Sequence, residues 1–119
     1  MTWHDDQTRL RHMLSHAEEA AHMAQGRTRA NLDSDRQLNL ALVRLMEIIG
    51  EAASRVSSER RQELTAIPWP DVVGLRHRLV HGYDKVDFDI LWDILQYDLP
   101  LLIGELRKAL EQAGGDAAE

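Results

Sequence analysis

A chain of 119 residues with a net charge of -6, 44% hydrophobic and 29% charged residues and no cysteine has room for one hydrophobic core, and it excludes disulfide staples and thiolate metal sites. The acidic balance excludes nucleic-acid recognition by bulk positive charge, so any phosphate contact must come from local arginines: Arg27 and Arg29, Arg55, Arg60 and Arg61, Arg76 and Arg78. No apolar run approaches the ~20 residues of a membrane span and Met1 to Asp6 form no leader pattern, so the expected setting is cytoplasmic, with no membrane partner.

Aromatic residues are scarce at 5%, and runs of Leu, Ala, Ile, Glu and Arg favour helix throughout. Leu10, Met13, Leu14, Ala17, Ala21 and Ala24 recur at helical spacing and predict a first helix ending near Gly26. His12 and His16, at i and i+4 on that helix, match a metal-binding spacing, but sequence fixes no third ligand; the expectation is a solvated polar face and no metal or cofactor. Asn31, Asp33 or Ser34 can cap a second helix, with Leu38, Ala41, Leu42, Leu45, Ile48, Ile49, Ala52 and Val56 as its core stripe. Leu40 and Val43 on its opposite side widen the stripe beyond what one partner helix needs, which suits contact with another subunit.

Ser57 or Ser58 starts a short helix through Leu64, and Ile67-Pro68-Trp69-Pro70 breaks the chain. A third helix is predicted from Pro70 to His81, with Gly82 as its left-handed cap. After the loop Gly82 to Asp87, with Asp87 as cap, a last helix turns Leu91, Ile94, Leu95, Leu99, Leu102, Leu106 and Leu110 inward and meets Pro100 with a kink or a break. Asp84, Asp87 and Asp89 form no matching hard-metal ligand set. Trp69, Trp92 and Tyr97 sit among apolar helical positions and read as core or interface packing before base stacking. With no strand signal, these elements make an all-α, single-domain, up-and-down bundle of four main helices plus a short one over residues 1–113, then a flexible tail over 114–119.

The densest chemistry lies in Arg76-His77-Arg78-Leu79-Val80-His81-Gly82-Tyr83. At a helix carboxyl end the dipole favours a protonated His81, and guanidinium and imidazole together suit binding an anion and moving a proton. Arg76 and His81 are five residues apart, roughly 140° around an ideal helix, so they meet one phosphate only through arginine's reach or an unwound helix end. His77 and His81 share a face at i and i+4 and can divide acid and base duties; the plainer role for His77 is a solvated or singly hydrogen-bonded ring.

The segment from Ile67-Pro68-Trp69 through Arg76 to Tyr83, followed by Val86-Asp87-Phe88-Asp89-Ile90-Leu91-Trp92-Asp93, resembles the HEPN superfamily, and more narrowly the HepT-type toxins paired with a minimal nucleotidyltransferase antitoxin. The family pattern, Arg, four residues, His, any residue, Tyr, falls on Arg76, His81 and Tyr83. Leu40 to Ala52 resembles that family's second helix and Asp98-Leu99-Pro100 its last, so the resemblance extends over residues 6–110. It implies the toxin of a type VII-like toxin-antitoxin pair: a homodimeric, metal-independent endoribonuclease acting on tRNA or mRNA, in which the RNA's 2'-hydroxyl attacks the adjacent phosphate. Arg76 would stabilise the charge developing on phosphorus and His81 would transfer the proton, from one subunit or from two, with His77 and Arg78 as auxiliaries. The partner nucleotidyltransferase would use ATP to place AMP on Tyr83 and so silence the site. The alternative is a non-catalytic HEPN subunit that binds nucleotide or RNA, or an adaptor in a nucleotidyltransferase complex.

Overall fold

Asp5 and Asp6 lie in the first turn of helix α1 (Trp3–Ala24), where carboxylates complement the positive end of the helix dipole. The helix closes at Gly26, which takes φ +75°, and its buried face is Leu10, Met13, Ala17 and Ala20. A computed structural model gives the backbone of residues 3–118 and the side chains of 5–112. The tail expected at 114–119 therefore lies outside the described side chains, although the backbone of the last helix reaches Ala118.

The start of the second helix differs from expectation. Thr28 N donates to Asn31 Oδ1 at 2.8 Å and opens a separate short helix, α2 (Arg29–Ser34). Asp35, rather than Asn31, Asp33 or Ser34, caps α3 (Arg36–Ser54): it is extended and its carboxylate accepts from Leu38 N at 3.0 Å. Helix α3 packs along α1 and buries Leu38, Leu42, Leu45, Met46 and Ile49. Buried Asn39 is satisfied by donating to Leu32 O at 2.8 Å and accepting from Arg36. Leu40 stays half-exposed on the far side, as the width of the stripe suggested.

Helix α4 (Ser58–Glu63) is capped by Ser57, whose Oγ accepts from Arg60 N at 3.2 Å. Buried Asp6 accepts from both Ser57 N at 2.9 Å and Ser57 Oγ at 2.6 Å, which fastens this cap to α1. Trp69 is buried and donates from Nε1 to Leu64 O at 3.0 Å, with the Arg61 guanidinium over its ring.

The predicted third helix is two short helices, α5 (Trp69–Val73) and α6 (Leu75–Leu79), separated at Gly74. Close approach to α3 holds this break in place, because a Cβ on Gly50 would come within 3.1 Å of Val72 O and 3.3 Å of Val73 O. The helix also stops before His81. Val80 is extended and pairs as β1 (Val80–His81) with β2 (Lys85–Val86) in a short antiparallel hairpin, Val80 opposite Val86 and His81 opposite Lys85. Gly82, at φ +77°, is thus a hairpin-turn residue and not a helix cap, and the expectation of no strand is corrected here. β-branched Val80 and Val86 pack against the core, which favours the extended backbone locally.

Asp87 caps α7 (Phe88–Asp93), accepting from Asp89 N at 3.0 Å and Ile90 N at 3.1 Å. A π-helical turn over Ile94–Asp98 then leads directly into α8 (Leu99–Ala118), with Leu99 N donating to Ile94 O. Pro100 has no N–H and crowds the carbonyl four residues back; the wider turn before it relieves that conflict, so neither a break nor a free-standing kink is needed. Arg29 ties α2 to α7, donating from Nε to Asp89 at 2.8 Å and lying 6.0 Å above the Phe88 ring. The hydrogen bond to Asp89 raises the Arg29 guanidinium above its ordinary value; desolvation opposes that rise and the charge of Asp33 adds to it.

The result is an all-α single domain: α1, α3 and the α7–α8 rod surround one core, and α5–α6 cross α3 to deliver the hairpin to the surface. No helix among the described residues is long and apolar enough to cross a membrane.

Candidate active site

Arg76 is the second residue of α6, and its exposed side chain places Nε 3.9 Å from Glu47 Oε1 on α3. Glu47 also accepts from Arg44 Nη1 at 3.4 Å, so one largely sheltered carboxylate stands between two guanidiniums. At that separation, with Arg76 66% exposed, the contact holds weakly and leaves the guanidinium open to an anion. Sequence reading had Glu47 only within the α3 run; its signal was a carboxylate on the polar edge of an otherwise apolar stripe.

His77 is exposed on α6, and His81 is exposed on β1 opposite Lys85. Directly opposed residues in such a ladder have Cβ atoms ~5 Å apart, so Lys85, also missed from sequence, adds a cation beside the imidazole. Tyr83 sits in the hairpin turn at 95% exposure. Among the described residues no hydrogen bond or ion pair joins Arg76, His77, His81 and Tyr83 to one another.

Because α6 ends at Leu79, the helical-wheel separation of Arg76 from His81 does not apply. The dipole argument is corrected in the same way: its effect fades beyond the last turn, and His81 lies in the hairpin. The backbone reversal, not helix geometry, sets where the imidazole stands.

Arg78 has a different environment. It pairs with Asp98 of the π-helical turn at 3.2 Å and lines a cavity of about 280 Å³ whose walls include Ile67, Val72, Leu75 and Leu102. None of Arg76, His77, His81 or Tyr83 lines that cavity. The candidate site is therefore an open surface, suited to a polymer's backbone rather than to an enclosed small molecule.

Among the described residues, no group of three or more His, Cys, Asp or Glu is placed to hold a metal ion. His16 Nδ1 lies 2.8 Å from His12 O, so one ring nitrogen of that pair is engaged by the helix backbone. Trp92 packs against the core as expected, whereas Tyr97, on the π-helical turn, is 69% exposed and contributes little to it. Chemically, the surface offers an exposed guanidinium for an anion and a solvent-facing imidazole for proton transfer.

The family model described as "Ribonuclease HepT-like" matches residues 13–109. A Caldanaerobacter subterraneus subsp. tengcongensis protein named "Putative RNase TTE0752" is 30% identical over 103 residues, covering 87% of this chain and 92% of the relative. A Methanocaldococcus jannaschii protein named "Putative RNase MJ1380" is 34% identical over 61% of this chain and 67% of its own length. A Thermococcus cleftensis protein named "Probable ribonuclease HepT" is 34% identical over 62% and 67%. No solved structure matches.

Proposed function

From the premise that the chain belongs to the HepT-like ribonuclease family of HEPN type, we propose that it is a metal-independent endoribonuclease toxin, with Arg76 and His81 as its catalytic pair. The observation that carries this reading is that both side chains are solvent-facing on one short α6–hairpin unit. A surface so arranged takes up an RNA phosphate without an enclosing pocket.

In this mechanism the RNA's 2'-oxygen attacks the adjacent phosphorus as the bond to the 5'-oxygen breaks. The products are a 2',3'-cyclic phosphate and a 5'-hydroxyl: the 2'-hydroxyl releases its proton to water, the leaving 5'-oxygen takes a proton from His81, and water then reprotonates the imidazole. Arg76 offsets the charge building on the phosphoryl oxygens. His77 and Lys85 border the path of the RNA, and Arg78 holds α6 through Asp98. We take the working unit to be a homodimer in which two motif copies share a cleft; the half-exposed Leu40 on α3 supports a further apolar contact.

The same reading makes Tyr83 the point of control. Its phenol is almost fully exposed two residues beyond His81, so a nucleotidyltransferase antitoxin using ATP can reach it, and an added AMP brings bulk and negative charge beside the phosphate path. The test is purified protein free of antitoxin, incubated with tRNA and mRNA in EDTA. Cleavage leaving cyclic phosphate ends is expected; RNA bound but left intact favours the non-catalytic HEPN subunit instead.

A further inference from the structure

Helix α1 presents Arg9 and His12 one turn apart, and α3 sets Ile48, Glu51, Ala52 and Arg55 opposite them, enclosing a groove of about 180 Å³. Its floor is apolar and its walls carry two guanidiniums, one imidazole and one carboxylate. Arg9 Nε is buried and has no hydrogen-bond partner among the described residues, a donor for which the fold supplies no acceptor. Among the described residues the Arg55 side chain is engaged only by Glu51, at 3.1 Å, in an i,i+4 pair whose side chains are 57% and 67% exposed. Pairs of that kind hold weakly in water, so Arg55 can exchange Glu51 for a stronger anion.

The groove and the candidate active site both adjoin α3. Glu51 lies one turn beyond Glu47, the carboxylate that meets Arg76, and Arg55 one turn beyond that. At 1.5 Å per residue, Arg55 is ~12 Å along α3 from Glu47, a distance that a short extended single strand can bridge. A backbone phosphate resting on Arg9 and Arg55, its sugar or base over Ile48 and Ala52, would hold the RNA on one side of the cleavage point.

Resting on the ribonuclease reading above, we infer that Arg9, His12 and Arg55 form a second phosphate subsite that grips single-stranded RNA away from the cut. Glu51 acts there as an internal competitor for the anion. Such a remote contact would add to the local cations, Arg76 above all, by which a chain of net charge -6 can hold a polyanion.

The test uses His81→Ala protein, so that RNA stays whole, and a labelled oligouridylate of about twelve nucleotides, titrated over a range of salt. Arg9→Ala with Arg55→Ala should weaken binding roughly five- to tenfold and lower the slope of log K against log salt by about 0.7, the loss of one phosphate contact. Glu51→Gln should tighten binding, an outcome that misfolding does not produce. An equal loss of charge elsewhere, Arg11→Ala with Lys108→Ala, should change the slope by much less. If the groove variants leave slope and affinity unchanged, or if Arg11→Ala with Lys108→Ala matches them, the subsite is wrong while the ribonuclease reading stands. If the His81→Ala parent itself fails to bind RNA, the ribonuclease reading falls first and the subsite falls with it.

Discussion

Arg76, His81 and Tyr83 occupy three different local settings: a helix that faces Glu47, a hairpin strand, and a bare turn. Their roles separate experimentally for that reason. Arg76→Ala or His81→Ala should lower cleavage by about a hundredfold to ten-thousandfold in single-turnover assays while far-UV circular dichroism stays unchanged, since both side chains face solvent. Glu47→Gln keeps the shape but removes the negative charge beside Arg76, so it should change cleavage far less than Arg76→Ala does and leave RNA affinity intact or improved. Tyr83→Phe should retain ribonuclease activity and lose every AMP adduct in intact-mass spectra of protein co-expressed with its nucleotidyltransferase. An adduct surviving on Tyr83→Phe would move the modification elsewhere.

At the scale of elements, what could be read from sequence followed from side-chain chemistry, and what could not followed from tertiary contacts. Asp87 as a cap, Ser57 opening a short helix and Leu91, Ile94, Leu95 and Leu99 facing inward are local or periodic signals, and the structure contains each of them. The break at Gly74 has no comparable signal, because it depends on α3 coming close at Gly50. Gly82 did announce a positive φ, but the same residue suits a helix cap or a hairpin turn. Val80 and Val86 decide between them by packing on a core that the sequence alone does not position. The motif residues were legible because arginine, histidine and tyrosine are dense there, whereas Glu47 and Lys85 became site residues only once folding brought α3 and β2 beside them. Two stability predictions follow from these contacts. Gly50→Ala should destabilise by about 1–3 kcal/mol in urea melts, since two backbone carbonyls of α5 cannot readily retreat. Gly82→Ala should cost about 1–2 kcal/mol for its positive φ and should reduce cleavage too, since it sets the turn between His81 and Tyr83.

Considered whole, the molecule is an acidic single domain whose useful positive charge is local. The HepT-like match over residues 13–109 takes in α6, the hairpin and most of the helical frame that presents them. Activity should therefore decline steeply with added salt, and a flat response between low and physiological ionic strength would remove the arginines from the account. The most direct measurement is end-group mapping of RNA incubated in EDTA with unmodified protein and with His81→Ala. The account predicts 2',3'-cyclic phosphate and 5'-hydroxyl ends from the former and intact RNA from the latter; undiminished cleavage by His81→Ala, or bound and uncut RNA with the unmodified protein, would contradict it.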